Sequence, residues 1–289
     1  MSLREKTRAL DDILLDLGSA AVAFSGGVDS TLLLARAIAR LGDRAVAVSI
    51  RSPLNPPGEL SLARSAAITL GARHVVLDID VLNGAPVSAN PPDRCYHCKR
   101  AMLLELRQWA DREGLAHVIH GEHAGDLEDW RPGGLAAREL GVRAPLAEAG
   151  LDKADVRELS RSMGLEGWDR PSMACLASRV PYGTALSVEL LAQVAAAEQA
   201  VARTGATQVR VRHHGDLARV EVPVAELHHA ADPDWRQKVV AGVKAAGYTY
   251  VTLDLEGFRS GSMNAVLSQT PRDSTRAHEE HPASARQED

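Results

Sequence analysis

The chain predicts an α/β fold, a doubly wound parallel sheet followed by a smaller α+β domain. Three observations carry this reading. Short runs of Val, Ala and Ile alternate with longer stretches of helical periodicity as far as residue 121. The first apolar run leads straight into a serine- and glycine-rich turn and then another apolar helix. The length, 289 residues, suits one large and one small unit.

The elements follow in order. Residues 4–17 read as an amphipathic helix, 20–24 as the first strand and 30–41 as the helix after the turn. Residues 45–50 form the next strand, 59–70 a helix, 74–78 a third strand, 98–113 a helix and 117–121 a fourth strand. In such a sheet ligands gather at the carboxyl ends of the strands. The first domain is expected over 1–185 and the second over 186–266. Residues 267–289, polar with two prolines, cannot bury an apolar face and are expected to be a disordered tail. In the second domain Ser187 is a natural N-cap for a helix from Val188 to about Arg203. An alternating strand at 208–213 and its hairpin partner at 217–222 follow.

Composition narrows the class. Aromatic residues make up 3% of the chain, so the core must be mostly Ala, Val and Leu. A formal charge of −5 offers no general attraction to nucleic acid or anionic lipid. Apolar runs are too short to cross a bilayer, and Met1-Ser2-Leu3-Arg4-Glu5 leads into a charged helix rather than a signal sequence. The expectation is a cytoplasmic protein with no membrane and no nucleic-acid partner.

The turn at Ser25-Gly26-Gly27-Val28-Asp29-Ser30 is suited to phosphate. Adjacent glycines let backbone approach an anion, and Ser25, Ser30 and the free N–H groups of the helix start donate toward it. A carboxylate there would repel phosphate unless a cation bridged them, which marks Asp29 as a magnesium-side residue. The Lys-Ser/Thr ending of a Walker loop and the spacing of a dinucleotide fingerprint are both missing. The hexapeptide resembles the pyrophosphate loop of the N-type ATP pyrophosphatases, which implies ATP cleaved between its α and β phosphates. Gly121, at the end of the fourth strand, is then a candidate adenine-side backbone contact or simply a turn residue.

All three cysteines lie in two polar loops, Cys95-Tyr96-His97-Cys98-Lys99 and Pro171-Ser172-Met173-Ala174-Cys175-Leu176-Ala177-Ser178-Arg179. In a cytosolic chain they do not suggest a disulfide framework. Four readings stand side by side. Three thiolates can hold a four-iron cluster, leaving one iron for an added sulfide or substrate. They can hold zinc with His97, His120 or His123 as a fourth ligand. Cys95 and Cys98 can be a redox pair with Cys175 a separate nucleophile. Or they are incidental small residues.

Further segments narrow the resemblance. Asp129-Trp130-Arg131-Pro132-Gly133, Arg143-Ala144-Pro145-Leu146, Trp168-Asp169-Arg170-Pro171 and Gly257-Phe258-Arg259-Ser260-Gly261-Ser262-Met263-Asn264, with the phosphate loop, make the chain similar to the LarE family from about residue 5 to 266. These ATP-dependent sulfur transferases help to build the nickel-pincer nucleotide cofactor of lactate racemase. The resemblance implies adenylation of a carboxylate of pyridinium-3,5-biscarboxylic acid mononucleotide, followed by displacement of AMP by sulfur. Some members sacrifice a single cysteine in the loop matching 171–183. Others carry three, which implies a 4Fe-4S cluster on Cys95, Cys98 and Cys175 with an extra sulfide as donor, direct donation by Cys175 being the competitor.

Other assignments follow from the same resemblance. Lys99 resembles a lysine facing the phosphates, its alternative being a surface lysine. Glu198 matches a glutamate used near metal and phosphate. Ser178 and Arg179 share the cysteine loop, so Arg179 is a natural anion contact. Arg210 and Arg212 have the period-two spacing to grip one phosphate or carboxylate of the substrate, an alternation equally normal for a solvated strand face. Residues 121–126, Gly-Glu-His-Ala-Gly-Asp, depart from the family's pattern, which usually has a small or amide residue near Glu122 and often two adjoining acids. The resemblance also implies a homo-oligomer, a hexamer. A tRNA thiolase and a non-catalytic nucleotide-binding module are the alternatives, and the acidic balance argues against the first.

Overall fold

The structure, a computed structural model, describes residues 1–83, 85–126, 132–171 and 173–259. The expected tail at 267–289 and the family-like segments at 129–131 and 260–264 lie outside them. The chain divides into two compact units, Met1–Ala177 with Ala185–Ala195, and Ser178–Thr184 with Ala196–Asp289.

The first unit runs α1 (Leu3–Leu17), β1 (Ala20–Ala23), α2 (Val28–Leu41), β2 (Ala45–Arg51), α3 (Glu59–Thr69), β3 (Arg73–Asp78), α4 (Ala85–Ser88), α5 (Arg94–Arg112), β4 (His117–His120), α6 (Pro132–Glu139), α7 (Pro145–Glu148) and α8 (Lys153–Ser162), and α9 (Val188–Ala202) begins in it. Its four strands are all parallel in the order β3-β2-β1-β4. Alternation along the strands sends side chains to two cores. Ala20, Val22, Ala45 and Ala47 meet Leu10, Leu14, Leu32, Leu33 and Leu146 on one face. Ala21, Val46 and Val48 meet Leu103, Leu106 and Trp109 on the other. A sheet covered on both faces needs strands without a polar side, which is why they read as apolar runs. β1 connects to β2 on one side and lies beside β4 on the other, so the order reverses at β1 and β4. The crevice past their carboxyl ends is where this architecture places ligands.

Two helices start earlier than their periodicity suggests. Gly27, extended at φ −73° and ψ 166°, is the N-cap of α2, so Asp29 and Ser30 sit in its first turn. The buried Arg94 begins α5, which puts Cys95 and Cys98 in its opening turns.

The second unit pairs β5 (Arg210–His214) with β6 (Leu217–Glu221) as an antiparallel hairpin, and α10 (Pro233–Ala245) leads to β7 (Tyr250–Leu253), which joins β6 in parallel. Val201, Val211, Val220, Val239 and Val243 form its core. Ser187 caps α9 as expected, its hydroxyl accepting from Leu190 N at 3.2 Å. No helix of the described residues is long and apolar enough to cross a membrane.

In the second unit α10 meets α9 through Gly242, where an added methyl would stand 2.6 Å from Ala200 Cβ. Gly242→Val is therefore expected to lower stability by about 1–3 kcal/mol through overpacking. Urea unfolding checks this, and an unchanged midpoint would contradict the packing described.

Candidate active site

The β1–α2 turn is held as an anion cradle by its own side chains. Ser25 N donates to Ser30 Oγ at 3.3 Å, Gly27 N donates to Ser25 Oγ at 3.3 Å, and Ser30 Oγ donates to Gly27 O at 3.2 Å. The two hydroxyls lie 3.2 Å apart. The first N–H groups of α2 have no carbonyl partner within the helix, and the helix dipole adds to their pull on an anion.

Neighbouring backbone presses on this loop from two sides. Gly26 has φ +73°, and a Cβ there would stand 2.7 Å from Ala63 Cα. A Cβ on Gly121 would stand 2.9 Å from Ser30 N. Gly121 thus allows the end of β4 to meet the start of α2, a reason for glycine that needs no ligand.

Asp29 is already engaged. Its carboxylate accepts from Lys153 Nζ at 2.6 and 2.7 Å, an ion pair that spans 124 residues of sequence. Lys153 opens α8 behind the N-cap Asp152. A hard oxygen donor beside a phosphate cradle suits magnesium, and Asp29 is the residue that would hold it. Lys153 was invisible to sequence reasoning, because no local pattern joins it to the loop. The same cavity is lined by Ser25, Gly26, Gly27, Asp29, Lys153, Arg157, Arg170, Pro171 and Met173. The phosphate loop and the start of the Cys175 loop therefore share one cleft, with the cations of Lys153, Arg157 and Arg170 around it.

Arg94 ties the start of α5, with Cys95 and Cys98, to the Cys175 loop. It is 3% exposed, donates to Asn90 Oδ1, and donates to the carbonyl of Ala177 at 3.2 Å. Leu176 N adds a bond to Leu54 O at 2.9 Å. The Cys98 thiol is pushed up to about 12, first by burial and then by the negative charge of Cys175 and Cys95. Three soft sulfur donors are the chemistry an iron-sulfur cluster takes. Among the described residues, however, no three ligand-type side chains stand close enough to hold a metal ion. The histidines weighed as zinc ligands have other partners. His97 Nε2 lies 3.1 Å from Asp93, His123 Nε2 3.3 Å from Asp126, and His120 sits between Lys99 and Glu122. Lys99 is not a surface lysine, since its Nζ lies 3.3 Å from His120 Nδ1.

The second unit collects the remaining residues. Arg179, 1% exposed, grips Glu198 through Nε–Oε1 at 2.8 Å and Nη2–Oε2 at 3.2 Å, and donates to Ser178 Oγ at 2.9 Å. Glu198 also accepts from Val211 N at 3.0 Å. Arg212 is buried, paired with Glu221 at 2.7 Å and donating to Ser178 O at 3.0 Å. This is a structural pairing, not a solvated face, and it holds Arg212 in place. Arg210 lies over the Phe258 ring at 5.2 Å. Burial, then repulsion by Arg179, lower its pKa to about 10. An added anion would relieve that repulsion. The pairing of Glu221 with Arg212 carries no sequence signal of its own.

A four-stranded parallel sheet with a Ser-Gly-Gly-Val-Asp-Ser cradle at its reversal point defines a PP-loop ATP pyrophosphatase fold. No family model matches the chain. It is 40% identical over 267 residues to an uncharacterised protein, slr1717, of Synechocystis sp., covering 92% of this chain and 100% of that one. It is 39% identical over 269 residues to the pyridinium-3,5-bisthiocarboxylic acid mononucleotide synthase of Lactiplantibacillus plantarum, covering 93% and 97%. More distantly, it is 27% identical over 214 residues to one of the polypeptides of the glutamine-hydrolysing GMP synthase of Halobacterium salinarum, covering 70% and 67%. The chain belongs to the LarE family, within the PP-loop superfamily.

The two loop glycines differ in kind. Gly26→Ala combines a left-handed φ with a backbone clash, whereas Gly27→Ala keeps an extended φ and meets only Ser25 Oγ at 3.3 Å. Gly26→Ala should weaken pyrophosphate binding at least about tenfold, a loss of ~1.4 kcal/mol, and Gly27→Ala clearly less. Calorimetry with magnesium pyrophosphate reads both, and equal losses would contradict the clamped loop.

Proposed function

We propose that this protein is an ATP-dependent sulfur transferase that adenylates a carboxylate of pyridinium-3,5-biscarboxylic acid mononucleotide and converts it to a thiocarboxylate, releasing AMP and pyrophosphate. The observation that carries the reading is the single cleft lined by the phosphate loop and by Pro171 and Met173 of the cysteine loop. A relative's name, a synthase of the bisthiocarboxylic acid mononucleotide, supports the product.

The chemistry follows from the residues. A carboxylate oxygen is a poor leaving group, and an acyl adenylate supplies a good one. Ser25, Ser30 and the amides at the start of α2 hold the departing pyrophosphate, where preorganised donors are worth most. Asp29 would hold magnesium, and Lys153, freed from it when the ion arrives, remains a cation beside the phosphates. Ser178, Arg179, Arg210, Arg212 and Glu198 form the substrate-binding set of the second unit, and a bound phosphate or carboxylate would relieve the crowding of Arg210 by Arg179.

For the sulfur, the reading is a 4Fe-4S cluster on Cys95, Cys98 and Cys175. When bound, such a group supplies a sulfide on the iron that lacks a protein thiolate. Arg94 holds the Cys175 loop against the opening of α5, and Lys99 stands next in sequence to Cys98. The partner is a small anionic nucleotide, and the assembly is a homo-oligomer, a hexamer in this reading.

Asp29→Ala should abolish pyrophosphate release dependent on the pyridinium biscarboxylate while leaving the melting temperature within a few degrees of wild type, because Asp29 lies in a partly exposed turn. Undiminished release would remove it from the site. In anaerobically purified protein, iron and sulfide should be present, repeated turnover with sulfide should leave the protein mass unchanged, and each Cys→Ala variant should lose the brown chromophore. A loss of about 34 Da from Cys175 after one turnover, the mass of H₂S, would establish sacrificial donation instead.

A further inference from the structure

A partly buried chain of polar groups runs from α5 to the end of β4. Lys99 Nζ lies 3.3 Å from His120 Nδ1, and His120 Nε2 lies 3.2 Å from Glu122 Oε2. The His120 and Glu122 side chains are 8% and 9% exposed. An ammonium can only donate, so Nδ1 must be the acceptor. The ring proton is then on Nε2, where the Glu122 carboxylate accepts it. Burial, and after it the Lys99 charge, push the His120 pKa down to about 3, so the ring is neutral.

Helix α6 closes over this chain by two adjacent glycines. A methyl at Gly133 would stand 3.0 Å from Lys99 Cδ, and one at Gly134 3.0 Å from Glu122 Oε1. β4 pairs with β1 in register Ala23↔His120, which puts the chain beside the strand that feeds the phosphate loop.

We propose that His120, oriented by Glu122, is a positioning residue that holds the Lys99 ammonium at the carboxyl edge of the sheet for the phosphates of ATP. A neutral acceptor suits this task. An imidazole fixes the direction of the ammonium through one hydrogen bond and adds no charge of its own, while Glu122 sets the tautomer from one group away. Glu122, which departs from the family's usual residue, thereby acquires a partner and a purpose.

The inference rests on the ATP-dependent reading above, and ATP binding tests it without the acceptor substrate. By calorimetry with magnesium ATP, Lys99→Ala and His120→Leu should each weaken binding about tenfold, the scale of one charge-assisted hydrogen bond. Because His120 acts through Lys99, the double variant should be no weaker than Lys99→Ala alone. His120→Asn, which keeps an acceptor near the Nδ1 position, should restore most of the affinity. Nitrogen NMR of imidazole-labelled protein should show His120 with Nδ1 bare and Nε2 protonated, and Glu122→Leu should mix the tautomers. Thermal melts identify any variant that has not folded. Wild-type affinity in folded His120→Leu, additive losses in the double variant, or a proton on Nδ1 would each overturn the proposal. A wild-type protein that binds ATP in this pattern but releases no pyrophosphate with the pyridinium substrate would overturn the functional reading and leave the positioning role standing.

Discussion

Everything in the first unit depends on backbone pressing against a phosphate loop. Gly26 against Ala63 and Gly121 against Ser30 are approaches that a single methyl group would break. They bring α3 and the end of β4 onto the β1–α2 turn, so that the turn is preorganised before any anion arrives. The parallel sheet makes this possible, because β1 and β4 are neighbours although nearly a hundred residues apart. The Ser25–Ser30 hydrogen bonds then fix the cradle's inner wall.

Charge is arranged differently in the two units. Around the loop the Asp29 carboxylate is balanced by Lys153, from the start of α8. In the second unit two of the guanidinium groups are held by carboxylates of the same unit. Arg179 with Glu198 and Arg212 with Glu221 are buried ion pairs at 2.8 and 2.7 Å. Arg210 is half-buried among the other cations, and its pKa is lowered by burial and then by Arg179. Breaking one of the buried pairs would leave an uncompensated charge, so loss of substrate binding in such variants must be separated from loss of fold.

Local patterns made much of this legible. The phosphate loop showed itself because its glycines and serines act within six consecutive residues. The strands showed themselves because a sheet covered on both faces leaves apolar runs. The start of α5 was misplaced, since Arg94 looks like a surface residue until its buried contacts with Asn90 and the Ala177 carbonyl are seen. Lys153 with Asp29 joins residues that only the topology brings together. The period-two spacing of Arg210 and Arg212 was visible, but not that Arg212 is already held by Glu221 from the neighbouring strand. Chemistry written in contiguous residues can be read directly, whereas partners across the fold wait for the register of the sheet.

The most direct measurement is the fate of oxygen in the activating step. If the pyridinium biscarboxylate is prepared with ¹⁸O in its carboxylates, adenylation and displacement by sulfur must carry one labelled oxygen into the phosphate of AMP, because the acyl C–O bond is the one that breaks. Mass spectrometry of the nucleotide product should show AMP bearing a single ¹⁸O for each thiocarboxylate formed. Unlabelled AMP, or ADP with inorganic phosphate in its place, would contradict adenylation at this loop.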